Sequence, residues 1–227
     1  IIGTVMGFSL GLLSARFRNT VTDGTARMFA LVGSSLPIFW SGLILLYLLS
    51  VRFPIVPGTG RLPPRTTPPP DVTGFYTIDS LLAGNIPLFL EVLSHLALPA
   101  FVLGWAVTGI ITRLVRSSLI EGLSQDYART ARAKGVSERR VIYRHAFKAA
   151  LVSVIPVIGI QAGFVLGGAV YIETVFQWPG IGRMLVNAIS TRDLLLVQGG
   201  VLVVAASYVF FNLLADVAQT IVDPRLR

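Results

Sequence analysis

The chain has 227 residues, of which 53% are apolar and only 13% charged, about half the charge of an ordinary soluble domain. With a mean hydropathy of +0.73, this excludes a typical water-soluble protein and points to a polytopic membrane protein, whose lipid-facing surface tolerates little charge. A net charge of +8 and a pI near 10.6 would suggest nucleic acid in a soluble chain, but here they suit basic cytoplasmic loops. The absence of cysteine removes disulfides and thiolate chemistry. The only histidines, His95 and His145, lie on different segments, so a histidine-based metal site is not expected.

The first segment, "IIGTVMGFSLGLLSA" (Ile1–Ala15), is short for a span and lacks the basic start and cleavage site of a signal peptide. It reads as a span whose beginning lies outside this chain. Gly3, Gly7 and Gly11 recur every four residues, the spacing that lets two membrane helices approach closely. Residues 16–27 then carry Arg16, Arg18 and Arg27 against Asp23. Met28–Val51, Ile86–Thr112, Leu151–Val175 and Leu194–Ala215 each exceed the roughly 20 residues needed to cross a bilayer. Pro37, Pro99 and Pro156 fall inside three of them, which a bundle can tolerate when neighbours satisfy the freed carbonyls.

The loop after the second span, "FPIVPGTGRLPPRTTPPPD", is rich in proline and reads either as an extended segment or as a disordered linker. The fourth span repeats the small-residue spacing at Gly159, Gly163 and Gly167. These glycines are read as helix-packing positions, although glycine is common in any membrane helix.

Loop charge sets the expected orientation. Residues 113–150 carry nine basic groups against Glu121, Asp126 and Glu138, whereas 52–85 has three basic and two acidic residues, and 176–193 two and one. The positive-inside rule therefore predicts that 16–27, 113–150 and the C-terminus are cytoplasmic, and that 52–85 and 176–193 are outside.

Within the basic loop stands "DYARTARAKGVSERRVIYRHAFK" (Asp126–Lys148). Asp126 in a first turn and Lys134 in a last turn each complement the helix dipole. Gly135 suits the left-handed residue that ends a helix, and Ser137 can cap a second helix whose first turn holds Glu138. Thr130, Ala131 and Ala133 keep the first helix thin enough for another protein's cleft. A basic helical hairpin on DNA would have little reach, because both flanks enter the membrane. A solvated loop touching anionic lipid would explain the charge, but not the glycine and the small residues. A docking helix for a cytoplasmic partner explains both.

"RTARAKGVSERRVIYRHAFKAAL" resembles the EAA loop of permease subunits in bacterial ABC importers, in the variant of the peptide, oligopeptide and nickel group. Arg129, Thr130, Ala131 and Gly135 stand where the general motif has Glu, Ala, Ala and Gly. Phe147-Lys148 replaces a frequent Leu-Pro. "LPIFWSGLILLYLLSVRFPIVPGTG" (Leu36–Gly60), "ETVFQWPGIGRMLVNAISTRDLLLVQG" (Glu173–Gly199) and "NLLADVAQTIVDPRLR" (Asn212–Arg227, with Asp223-Pro224-Arg225) resemble further parts of that branch, in the same order.

The resemblance implies an all-α, polytopic bundle of the type I importer permease kind in the bacterial inner membrane. Five spans would lie in this chain, and family members have one more N-terminal span. It implies ATPase coupling through Asp126, Tyr127, Arg129, Thr130, Ala131, Lys134, Gly135, Glu138 and Arg139. The partners it implies are a second homologous permease subunit, two cytoplasmic ATPase subunits and an extracytoplasmic substrate-binding protein. The cargo would be di- or oligopeptides, with nickel, haem or another small solute as alternatives.

No GxxxxGK[ST] nucleotide loop and no HExxH, GxSxG or paired-carboxylate arrangement occurs in the chain. The resemblance implies ATP and Mg on the partners, and no cofactor or covalent step is expected on this chain. Among embedded polar residues, Glu91, Gln161 and Glu173 are candidates for the path or an outer gate. Glu91 could pair with His95 one turn on, or simply be solvated at the outer interface. Arg113 and Arg116 are expected to snorkel to headgroups. A channel or ion-coupled transporter is the rival, and would more often carry charge relays inside its spans.

Overall fold

The computed structural model describes residues 1–222, without the side chains of Arg144, His145, Lys148 and Ala149. The Asp223-Pro224-Arg225 motif and the side chain of His145 thus lie outside the described residues. Every regular element described is helical. The chain divides into two compact units, the first made of Ile1–Leu36, Gly104–Leu166 and the chain from Val201, the second of Pro37–Leu103 and Gly167–Gly200.

In the first unit, α1 (Ile2–Arg16) buries Gly3, Gly7, Gly11, Ser14 and Ala15. Its partner is the later part of α5 (Ile86–Ser124). A Cβ on Gly3 would stand 2.4 Å from Val107, one on Gly7 2.5 Å from Ile111, and one on Gly11 2.7 Å from Val115. None of these distances is possible for a real side chain, so glycine sets the helix separation. Val107, Ile111, Val115 and Leu119, spaced four apart on α5, are all 5% exposed or less. They form the core with Ala146, Ala150 and Val154, the last two on α8 (Phe147–Val175). The first two glycines of the α8 ladder face α10 (Leu194–Val222). A Cβ on Gly159 would meet Ala215 at 2.6 Å, and one on Gly163 would stand 1.9 Å from the Tyr208 ring.

Gly167, expected to be a packing position, has open space where its Cβ would stand. Gly163→Leu is therefore expected to disturb packing within the chain. The cost should be about 1–3 kcal/mol, the usual penalty for overpacking. A drop in the melting temperature of the detergent-purified subunit measures it, and an unchanged melting curve would refute this packing role.

The predicted span Met28–Val51 is not one helix. α2 (Val21–Ser35) ends before Leu36, and α3 (Ile38–Leu46) begins after Pro37, running into a π-helical turn at Tyr47–Arg52. Leu36 and Pro37 are both extended, with ψ of 141 and 133°. The cause is local. Proline disfavours the helical conformation in the residue before it and has no N–H to donate. Pro99 and Pro156, by contrast, sit inside unbroken helices. By length and composition, α5, Ala150–Val175 of α8 and α10 can each cross a membrane. α2 with α3 adds a fourth if the pair forms one span, and α1 is shorter. Five spans were expected, the first of them incomplete, so the break at Leu36 and Pro37 is where the structure departs from that reading.

In the second unit, Leu98 and Val102 of α5 pack with Ile172 of α8 and with Phe176, flanked by Ile38, Leu45 and Leu49. The proline-rich loop is held at named points. The Gly60 N–H donates to the Phe176 carbonyl (2.8 Å), and the Gly60 carbonyl meets Nδ1 of His95 (3.1 Å). His95 therefore turns to the loop backbone and not to Glu91. Further along, Asp79 on α4 (Tyr76–Leu82) accepts from the Thr73 N–H (2.8 Å), the Thr73 hydroxyl (2.7 Å) and the Gly74 N–H (3.1 Å). Burial pushes the Asp79 carboxyl up, but these donors outweigh it and leave the group below its ordinary value.

Candidate coupling segment

α6 (Asp126–Ala133) is eight residues long and follows α5 after Gln125 alone. Its end is built as the sequence suggests. Lys134 N–H reaches Thr130 O (3.1 Å), Gly135 N–H reaches Arg132 O (2.9 Å), and Val136 N–H reaches Ala131 O (3.1 Å). Gly135 has φ +77°, the left-handed conformation that costs little only for glycine. Ser137 occupies the position before α7 (Glu138–Arg140), but its side chain makes no capping bond. α7 is a single short turn, and a π-helical stretch (Val141–Ala146) joins it to α8, so no separate second helix precedes the span.

The two sides of α6 differ. Ala128 and Ala131, three residues apart, are 0% and 8% exposed and pack on Val141 with Leu123 and Val136 around them. Asp126, Tyr127, Arg129, Thr130, Ala133 and Lys134 are exposed. Ala131 therefore faces this chain's own interior, contrary to the reading that it enters a partner's cleft; a small residue is required there because Val141 is close. The outward face is carried by Arg129, Thr130 and Ala133. Asp126 and Arg129 approach within 3.6 Å, but both are well exposed and the pair adds little.

Arg132, which sequence reasoning did not single out, is the most connected residue of the segment. Its Nε and Nη2 donate to both carboxylate oxygens of Glu138 (2.9 and 2.8 Å), and its Nη1 donates to the Leu123 carbonyl (3.0 Å). One guanidinium thus ties the end of α5, α6 and the start of α7. The bonded guanidinium holds the Glu138 carboxyl below its ordinary value. Only the spacing of opposite charges across Gly135 hinted at this clasp. The Tyr127 hydroxyl lies over Gly122, at 2.8 Å from where a Cβ would stand. Burial, then the nearby Glu121, pushes that phenol up. Arg139 lies over the Tyr143 ring at 5.9 Å, and with Ser137 and Arg140 these residues line a groove of about 510 Å³.

The same unit holds a second charged centre. Asp23 on α2 is fully buried and accepts from the Ser14 hydroxyl, the Asn19 N–H (3.0 Å) and a forked Arg116 (Nε 3.1 Å, Nη2 2.9 Å), with Arg27 Nε at 3.0 Å. Arg116 does not snorkel; it is committed to Asp23. The sequence distance between them concealed the pair.

The three candidates for the path or gate separate. Glu173 has a structural role, because its Oε2 accepts from the Arg183 N–H (2.8 Å) in the first turn of α9 (Ile181–Ser190). Gly180 and Gly182 make room for it, since a Cβ on either would stand 2.3 Å and 2.9 Å from the carboxyl group. This explains the Pro179-Gly180-Ile181-Gly182 run as a seat for a carboxylate at a helix N-terminus. Glu91 and Gln161 are half-buried, with no hydrogen bond from either side chain among the described residues.

Long apolar helices around glycine-set contacts, with a basic helix-glycine-turn element between two of them, define a polytopic α-helical membrane protein. The chain matches the family described as "Binding-protein-dependent transport system inner membrane component" over residues 7–227, and it belongs to that family. It is 43% identical over 229 residues to the dipeptide transport system permease protein DppB of Escherichia coli (strain K12), covering all of this chain and 68% of that protein. It is 44% identical over 221 residues to the di/tripeptide transport system permease protein DppB of Pseudomonas aeruginosa (strain UCBPP-PA14), covering 97% of this chain and 66% of that one. A probable D,D-dipeptide transport system permease protein of Escherichia coli (strain K12) is 42% identical over 226 residues, again across the whole chain and 66% of the relative.

Proposed function

We propose that this chain is the membrane-spanning subunit of an ATP-driven importer and forms, with a second homologous permease subunit, the path for di- or oligopeptides. Two cytoplasmic ATPase subunits would hold ATP and Mg and hydrolyse it. An extracytoplasmic binding protein would deliver the peptide, and this chain would make and break no covalent bond. The observation that carries the reading is the division of α6, whose alanine face is sealed in the chain while Arg129, Thr130 and Ala133 stand free for a partner. Peptide is preferred to nickel or haem because the relatives quoted are named for dipeptides or tripeptides. Glu91 and Gln161 are proposed for the path, and Glu173 for positioning α9.

The test is copurification of an ATPase with the tagged subunit, followed by uptake of a labelled dipeptide in reconstituted vesicles. Unlabelled dipeptide should compete and nickel should not. Uptake without any ATPase present would turn the reading to a channel or secondary transporter.

The orientation is part of the proposal and is checkable, because the chain has no cysteine of its own. Thr67, Ser137 and Ser190 are all exposed. Thr67→Cys and Ser190→Cys should react with an impermeant thiol reagent on intact cells, and Ser137→Cys only after permeabilisation. The reverse labelling would invert the topology and place α6 on the wrong side for an ATPase.

A further inference from the structure

The first unit contains an open cavity of about 840 Å³ between α2 and α5. Met28 and Leu31 of α2 and Ile110 and Leu114 of α5 make its apolar walls. Met28 and Leu31 are 64% and 51% exposed, so no side chain of the described residues covers them. Arg27, Arg113 and Arg116 also line the cavity. Arg27 and Arg116 share the single carboxylate of Asp23, so three cations against one anion leave two positive charges. Arg113 is exposed, and its side chain has no hydrogen bond or ion pair among the described residues. In the wall, the Thr112 hydroxyl is buried and has no hydrogen-bond partner among the described residues.

We propose that this cavity holds an anionic phospholipid, with its phosphate on Arg113 and Arg27 and an acyl chain along Met28, Leu31 and Leu114. A soluble anion would satisfy the arginines but gain nothing from walls that remain apolar and open. A zwitterionic lipid would fill the walls but leave the surplus charge unanswered. Only an amphiphile with a net negative head meets both demands, and basic pockets between membrane helices select such headgroups. Membrane lipid is also the one molecule of that chemistry present at high concentration beside an exposed helix face.

The experiment is native mass spectrometry of the assembled transporter in detergent, titrated with phosphatidylglycerol or with phosphatidylcholine of the same chains. The expected result is preferential retention of phosphatidylglycerol. Arg113→Gln should weaken it about fivefold, the usual effect of one basic residue on an anionic lipid. Leu31→Trp, which fills the apolar wall and keeps every charge, should also release it, and Arg183→Gln on another element should not. Equal retention of both lipids would overturn the proposal, as would unchanged phosphatidylglycerol binding by Arg113→Gln. Competition by millimolar inorganic phosphate would identify a soluble-anion site instead. Disulfide formation between Leu31→Cys and a cysteine of the second permease subunit would show that a protein helix fills the cavity. An equal loss with Arg183→Gln would reduce the effect to overall charge and also overturn it.

Discussion

Asp23→Ala should cost the subunit about 3–5 kcal/mol of stability, the usual penalty when one member of a buried ion pair is removed. The carboxylate is fully buried, and its loss strips partners from the Ser14 hydroxyl, the Asn19 N–H and the Arg116 fork together. Arg116 keeps a side-chain exposure of 21%, so water can recover part of its solvation and the lower end of that range is expected. Asp23→Asn should fall between, because the amide oxygen still accepts but its N–H₂ opposes the guanidinium. Adding Arg116→Gln to Asp23→Asn should restore some of the loss, giving a coupling of about 0.5–3 kcal/mol in a double-mutant cycle. Thermal unfolding of the purified subunit reads these variants together with Arg116→Gln alone, which completes the cycle. Additive effects would show that the two side chains do not act as a pair.

The second large effect separates the two faces of α6. Ala131→Trp should lower the melting temperature of the isolated subunit, because the ring must displace Val141 and Ala128 from a small, closed cluster; overpacking of this kind costs about 1–3 kcal/mol. Ala133→Trp should leave the melting temperature of the isolated subunit unchanged, since Ala133 is exposed. In the assembled transporter it should weaken ATPase docking about tenfold or more, as the same steric penalty now falls on the interface. Gly135→Leu has room for its side chain and should act through backbone strain alone, about 1–2 kcal/mol. ATPase retention and dipeptide uptake, measured beside the melting temperature, distinguish these outcomes. Normal retention and uptake in Ala133→Trp would end the coupling-helix proposal and leave α6 a solvated basic loop.

Whether a feature could be read from the sequence depended on whether its contacts were local. The Gly135 helix end was legible because a left-handed residue after a short helix is written in adjacent positions. The glycine spacing in α1 was legible too, though not its partner: nothing in Gly3, Gly7 and Gly11 names Val107, Ile111 and Val115. The inward turn of Ala131 was hidden for a related reason. A thin helix has small residues on more than one side, and only the position of Val141 decides which side is sealed. The Asp23–Arg116 pair joins residues 93 apart, so each charge separately looked like part of a loop or a helix end. Pro37 was visible, but its effect was underestimated. Pro99 and Pro156 stay in helix, whereas Leu36 and Pro37 both leave it.

The Arg132 clasp has a mechanical consequence. A hinge made of a glycine alone would let α6 swing freely, and motion imposed on it would be lost in the turn. Here the guanidinium ties α6 to the Leu123 carbonyl on one side and to Glu138 on the other, so a displacement of α6 would be passed to both flanking segments together. Both bolting side chains remain partly in water, at 38% and 55% exposure, where mobile ions screen such pairs. Transmission through this tie should therefore weaken as the ionic strength of the surrounding solution rises.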